Sequence, residues 1–247
     1  MNKIELKIVK DYDEMSQVAG KIMLDVVKEN PKCTLGLATG SSPIGLYKYL
    51  INAYENGEVS FKKVKTYNLD EYCDLPVTHP ESYHSFMNTN LFSHIDIKKR
   101  NIHLPSSEGT DLQKNCDKYS ALLNKATVDM QLLGIGADGH IGFNEPGTSF
   151  ESETLIVELT EKTIQDNARF FDNDPKKVPT HAITMGIKNI MNAKSVLLLA
   201  SGENKADAIQ KLIEGAITED VPATCLRNHS GKVIVIADKA ACSKLKK

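Results

Sequence analysis

Five short apolar runs constrain this chain most: TLGLA (34–38), VKTYNL (64–69), MQLLGI (130–135), SVLLLA (195–200) and KVIVIA (232–237). Most are apolar throughout rather than alternating, the pattern of parallel strands covered on both faces, because a strand with one wet face turns polar at every second residue. Helical stripes lie between them. Met15, Val18, Ile22 and Val26 make one, stopped by Asn30-Pro31; Ile44, Tyr47, Ile51 and Tyr54 make another, stopped by Asn56-Gly57; Ala206, Ile209 and Leu212 mark a third before Gly215. Strands and helices therefore alternate, which predicts an α/β fold with a mostly parallel central sheet covered by helices on both faces. One catalytic domain spanning 1–247 accounts for the length, with 145–181 as its least regular part.

Open sheets of this kind bind ligands beyond the carboxyl ends of their strands. The residues after each run thus form a search list: TGSSP (39–43), DEY (70–72), GADGHIGFNEP (136–146) and SGENK (201–205). TGSSP opens a helix, with Pro43 suited to the first turn and Ser41 or Ser42 suited to capping. Backbone N–H groups and hydroxyls at such a start can hold a phosphate, although the same residues also make an ordinary capped helix. The GxxxxGK[ST] loop is absent, so a phosphate here points to a sugar monoester and not to a nucleoside triphosphate. In DEY, strand alternation aims Asp70 and Glu71 in opposite directions, and only one faces a pocket.

The segment GIGADGHIGFNEPG (134–147) gathers Asp138, His140 and Glu145 among glycines. It contains a literal GxGxxG from Gly134 to Gly139, but that dinucleotide fingerprint needs a helix at once, and Gly142, Pro146 and Gly147 interrupt one. The three titratable residues lack HExxH spacing, and no CxxC pair completes a metal shell, so a metal site, like the dinucleotide site, stays a minor alternative. Acid–base chemistry fits better: an imidazole titrating near neutrality, with neighbouring carboxylates setting its tautomer and charge. Arg169 and Lys205 are candidate anion contacts, weighed against plain surface solvation; Lys205 is the better placed, near a helix start behind a strand.

A net charge of −2 and a pI near 6.4 give no electrostatic reason to expect nucleic acid. No stretch approaches the roughly 20 apolar residues of a membrane span, and the start lacks a signal peptide's apolar core, so a cytoplasmic protein with no membrane partner is expected. The five scattered cysteines read as reduced, structural thiols. Both a monomer and a homo-oligomer are compatible with the sequence.

Taken together, LGLATGSSP, NLDEY, HPESYHSFM, GIGADGHIGFNEPG, ARFFDND and SGENKA occur in order over nearly the whole chain and resemble the glucosamine-6-phosphate deaminase family. The resemblance implies a Rossmann-like α/β sandwich that converts D-glucosamine 6-phosphate and water into D-fructose 6-phosphate and ammonia without a cofactor. It implies that Asp70 is the general base at C2, that His140 opens the sugar ring, and that Asp138 and Glu145 orient and tune this histidine. It puts the phosphate on Thr39, Gly40, Ser41 and Ser42 with Arg169 and Lys205, brings the Gly136 backbone close to the sugar, and makes a mobile lid of the segment around 150–181. Allosteric members of the family carry basic residues after FNEP and a longer tail. GTSFESETLIVELT (147–160) has none, so weak or absent activation by N-acetylglucosamine 6-phosphate is expected, and a hexamer is in doubt. The rivals are a 6-phosphogluconolactonase-like hydrolase, which needs no base at C2, and a non-catalytic sugar-phosphate sensor, which needs a DNA-binding module that the residues before TLGLATG have no room for. Residue types separate the glucosamine and galactosamine epimers poorly.

Overall fold

In the computed structural model, which describes residues 4–246, all five apolar runs are strands. The elements in chain order are β1 (Glu5–Val9), α1 (Tyr12–Glu29), β2 (Thr34–Leu37), α2 (Ile44–Glu55), β3 (Lys65–Asn68), β4 (Asp70–Tyr72), α3 (Tyr83–Asn90), β5 (Ile102–His103), α4 (Leu112–Lys125), β6 (Met130–Gly134), β7 (Leu155–Glu158), α5 (Glu161–Asn167), β8 (His181–Thr184), α6 (Ile187–Met191), β9 (Ser195–Ala200), α7 (Ala206–Glu214) and β10 (Lys232–Asp238). Seven strands form a parallel sheet in the order β1-β10-β9-β6-β2-β3-β5, with helices packed around it. Val196 to Ala200 and Val233 to Asp238 are buried without a break, as strands covered on both sides must be.

The helical stripes are shifted from those the spacing predicts. In α1 the buried face is Met15, Ala19, Gly20, Met23, Leu24 and Val27, while Val18, Ile22 and Val26 lie at its half-buried edge. Close packing is the reason. A Cβ on Gly20 would come within 2.5 Å of the Tyr49 ring of α2, so Gly20 is where α1 admits that ring, and the larger aliphatics stand to one side. In α2, likewise, Leu46, Tyr47, Leu50 and Ala53 are buried, whereas Ile51 and Tyr54 are half-buried. In α7, Ala206, Ile209 and Leu212 are buried as expected, and Gly215 is the C-cap.

A second, antiparallel sheet, β4-β8-β7, branches off at Leu69. The Leu69 N–H donates to Leu37 O at 3.1 Å in the parallel sheet, while its carbonyl accepts from Met185 N at 2.6 Å beside the second sheet. The chain therefore does not stop at DEY; it changes sheets there. Much of 145–181 is regular, since it holds β7, α5 and the start of β8. Tyr72, Phe143, Leu159, Ala168, Phe171, Val178 and Ala182 form a hydrophobic cluster of their own beneath this layer. Among the described residues no helix is long and apolar enough to cross a membrane. All five cysteines are free, and four are buried.

Candidate active site

The chain runs from β2 to β3 and β5 in one direction across the sheet, and from β6 to β9 and β10 in the other. Neighbouring β2 and β6 thus form a switch point, where the loops leaving the strands splay apart and open a crevice. A cavity of about 850 Å³ opens at these carboxyl ends. All four segments of the search list reach it: Thr39, Gly40, Ser41 and Ser42 behind β2, Asp70 behind β3, Gly136 and His140 behind β6, and Lys205 behind β9, with Arg169 from the 3-10 turn that follows α5. Asp138 and Glu145 do not line the cavity; they stand behind His140.

Asp70 and Glu71 part as alternation requires. Asp70 faces the cavity, whereas Glu71 is wholly buried on the other side of β4. Asp70 is only 6% exposed, and its carboxyl makes no hydrogen bond among the described residues. Burial, reinforced by the neighbouring Glu71 charge and only partly relieved by His140, raises its pKa to about 8. The small sheet brings this carboxyl to the His140 segment. Asp70 is the register partner of Thr184, whose hydroxyl accepts from Phe143 N at 3.1 Å; Asn144 Nδ2 donates to Ile141 O at 2.8 Å and to Met185 O at 2.9 Å. A Cβ on Gly142 would lie 3.5 Å from Asp70 Oδ2, so the two acid–base segments run edge to edge.

His140 Nδ1 lies 2.8 Å from Asp138 Oδ1 and 3.5 Å from Glu145 Oε2. Neither contact is a well-angled hydrogen bond; the attraction is that of an ion cluster. Burial opposes charging the ring, but the two carboxylates outweigh it and raise the His140 pKa to about 9. Burial likewise opposes ionisation of Asp138, yet the imidazole beside it holds that carboxyl far below its usual range. Glu145 Oε1 is fixed by a short hydrogen bond from the Thr163 hydroxyl. With Nδ1 turned to the carboxylates, Nε2 is left for a ligand. Gly136 makes the ring position available, since a Cβ there would sit 2.3 Å from the imidazole.

The cavity also has a cationic end. Gly134 to Gly139 leads into no helix, so the dinucleotide reading falls, and Ser41 and Ser42 are not caps: α2 starts at Ile44 behind Pro43, with no side-chain cap bond. Both serine hydroxyls therefore remain for a ligand, and the Tyr12 hydroxyl pins their loop by donating to Ser41 O at 2.9 Å and accepting from Gly45 N at 3.0 Å. Burial pushes the Lys205 amine below its ordinary value, and the Arg169 and Lys162 charges push the same way, against Asp166 and Asp138. Arg169 and Lys205 thus converge where one anion would relieve both, with Lys162, ion-paired to Asp166 at 2.8 Å, beside them.

Lys162 and Thr163 went unnoticed in the sequence. They sit in the first turn of α5, within seven residues of Arg169, and a Thr160 N-cap followed by helix would have been the signal. Tyr72 and Tyr83, whose ring centroids are 4.8 Å apart, wall the cavity beside Asp70 and were hidden in DEY and HPESYHSFM as packing aromatics. Asp138, His140 and Glu145 also present ligand atoms within 4.8 Å of one another. One Glu145 oxygen is committed to Thr163, however, and both carboxylates turn to the same ring nitrogen, which suits a shared proton better than an ion.

A switch-point cavity with two acid–base centres and a cationic end defines an α/β protein built for proton transfer on a small anionic ligand. The chain belongs to the glucosamine-6-phosphate isomerase/6-phosphogluconolactonase family, whose model matches residues 12–235. It is 50% identical to glucosamine-6-phosphate deaminase 2 of Bacillus subtilis, over 98% of both chains. It is 54% identical to the glucosamine-6-phosphate deaminase of Lysinibacillus sphaericus, over 92% of this chain and 96% of that one. A solved monomeric glucosamine-6-phosphate deaminase superposes with a TM-score of 0.94 at 46% identity, covering 97% of this chain and 99% of its own. The 6-phosphogluconolactonase of Trypanosoma brucei shares the fold, with a TM-score of 0.83 at 19% identity over the full length of both chains.

Proposed function

We propose that this protein is a glucosamine-6-phosphate deaminase, converting D-glucosamine 6-phosphate and water into D-fructose 6-phosphate and ammonia. The observation that carries the reading is Asp70, a buried carboxyl with no hydrogen bond among the described residues, in one cavity with an imidazole held by two carboxylates. A sugar hemiacetal must open before its C2 proton becomes acidic, so the reaction needs one proton carrier at the ring oxygen and another at C2. His140 Nε2 serves the first, moving the anomeric hydroxyl proton to the ring oxygen. Asp70 serves the second: it takes the C2 proton while a proton of the substrate's ammonium group passes to O1, so that an enamine forms, and the same carboxyl then returns the proton to C1. Water then adds to C2 of the resulting imine and ammonia leaves. Lactone hydrolysis needs no base at C2, so Asp70 favours the deaminase over the lactonase reading.

Thr39 to Ser42, Arg169 and Lys205 hold the phosphate, which fixes the sugar relative to both proton carriers and supplies much of the orientation. The layer from β7 to β8, seated on its own aromatic cluster, closes as a lid over the substrate. Free thiols throughout fit a cytoplasmic enzyme of amino-sugar breakdown. The lack of basic residues after FNEP and the monomeric relative both favour a monomer that N-acetylglucosamine 6-phosphate does not activate.

Purified protein assayed without added metal should release ammonia and fructose 6-phosphate, and a chelator should leave the rate unchanged. A panel of glucosamine, galactosamine and N-acetylglucosamine 6-phosphates with 6-phosphogluconolactone decides among the readings. Turnover of the lactone alone, with no ammonia from either amino sugar, would overturn this one.

A further inference from the structure

Glu71 and His84 form a buried cluster that the proton transfers above do not use. The Glu71 carboxyl group is fully buried and accepts four N–H groups: Tyr72 N and Tyr83 N reach Oε1 at 2.9 Å each, and His84 N and His84 Nδ1 reach Oε2 at 3.0 and 2.7 Å. Tyr83 and His84 open α3, where the first N–H groups have no partner within the helix. Ser82 caps the N–H of Ser85, and Glu71, reaching in from β4, takes the two before it. One side chain thereby locks a strand to a helix start.

What it locks is the wall of the cavity. Tyr72 and Tyr83, whose backbone N–H groups share Glu71 Oε1, flank Asp70, and the Tyr83 hydroxyl interacts with Tyr72 and with Thr39 of the serine loop. Glu71 is also the immediate chain neighbour of Asp70. The titratable groups whose charge reaches Asp70 are Glu71, behind it on the opposite face of the same strand, Tyr72 beside it, His140 from the 134–147 segment, Tyr83 from α3 and Tyr119 from α4; its register partner on β8 is the neutral Thr184. Of these, Glu71 is the anion nearest to Asp70 in the chain, and its charge adds to the effect of burial on that carboxyl. His84, whose side chain is 33% exposed, is the group paired with it.

We propose that the Glu71–His84 pair is a positioning unit for Asp70, fixing the strand and helix between which Asp70 works and governing, through the charge behind it, when that carboxyl can accept a proton. The inference rests on the reading of Asp70 as the C2 base. His84 moderates the Glu71 charge by donating to it, so the two partners act on Asp70 in opposite directions. Removing Glu71's charge makes Asp70 a base at lower pH; removing His84 leaves that charge unmoderated and delays the base to higher pH.

The test is the pH profile of kcat for the full-length wild type, Glu71→Gln and His84→Ala, with Asp70→Asn as the reference. The acid limb of Glu71→Gln should move down by roughly one pH unit, and that of His84→Ala should move up. Because His84 is partly exposed, its variant keeps the test alive if Glu71→Gln does not fold. A purely structural clamp would lower kcat in both variants at every pH with the limb unmoved, and that result overturns the inference while the reading of Asp70 stands. If Asp70→Asn still exchanges the substrate C2 hydrogen with solvent, the reading of Asp70 falls, and the inference falls with it.

Discussion

Replacing Asp138 by asparagine should return His140 to the behaviour of an ordinary histidine. In the native site its pKa is raised from 6.5 to about 9, although burial opposes the charge. At about 1.4 kcal/mol per pH unit, that is a net preference for the imidazolium of about 3 kcal/mol. Asp138 is the nearer of the two carboxylates, at 2.8 against 3.5 Å. A charge pair about 3 Å apart is worth roughly 5 kcal/mol at an effective dielectric constant of ~20, so losing it exceeds the whole net preference. The amide oxygen of the substituted side chain can still accept a hydrogen bond, and Glu145 remains, which together set the expected value at about 6 to 7. Imidazole NMR of labelled protein reads this directly, and the basic limb of kcat should fall with it. The stability consequence has a definite sign. His140's folded pKa lies above its unfolded value, so its contribution is full below about 6.5 and is lost as pH rises through about 9. The wild type should therefore exceed Asp138→Asn in stability most clearly near pH 6, with the gap narrowing as pH rises from about 6.5 and largely closed above about 9. An Asp138→Asn protein whose His140 remains protonated at pH 8.5 would refute the reasoning.

The same geometry fixes three other outcomes. Asp70→Asn should abolish C2 exchange yet raise Tm at pH 9: a carboxyl whose folded pKa is raised to about 8 costs stability once pH passes its unfolded value, an effect on the order of a few kcal/mol, and an unchanged or lower Tm would count against its burial without partners. Lys205→Gln and Arg169→Gln should each raise KM for the phosphorylated substrate about ten- to a hundredfold, as expected for a lost charge-assisted hydrogen bond, and inhibition by free phosphate should weaken in parallel; a KM unchanged in both variants would move the anion elsewhere. Gly136→Ala should lower kcat on the order of a hundredfold with a smaller change in KM, because the new Cβ must displace the His140 ring from a distance of 2.3 Å; full activity would show that the ring position is not critical.

The central strands were legible because continuous burial leaves an unbroken apolar run, and the site's four segments were legible because a parallel sheet gathers its carboxyl ends on one edge. Asp70 over Glu71 was half legible: alternation separated them, but which one faced the cavity depended on the turn at Leu69. The second sheet escaped notice because its strands are three or four residues long and mostly flanked by loop, too short to show a period. The helix faces were misplaced by a residue because spacing ranks side chains by apolarity, whereas packing selected Ala19 and Gly20 for the closeness they allow.

The order of apolar runs and loop motifs determined the layer architecture, the edge on which the chemistry lies, and the residue types available to it. The tertiary structure alone decided that Asp70 is buried without a partner, that Asp138 and Glu145 crowd one nitrogen of His140, and that Lys162 joins the cations over the cavity. The physical reason is that a carboxyl's strength as a base depends on the water and charges around it. Those surroundings come from α3 and, far from Asp70 in the chain, from α4, the His140 segment and β8, which meet it only once the fold has closed.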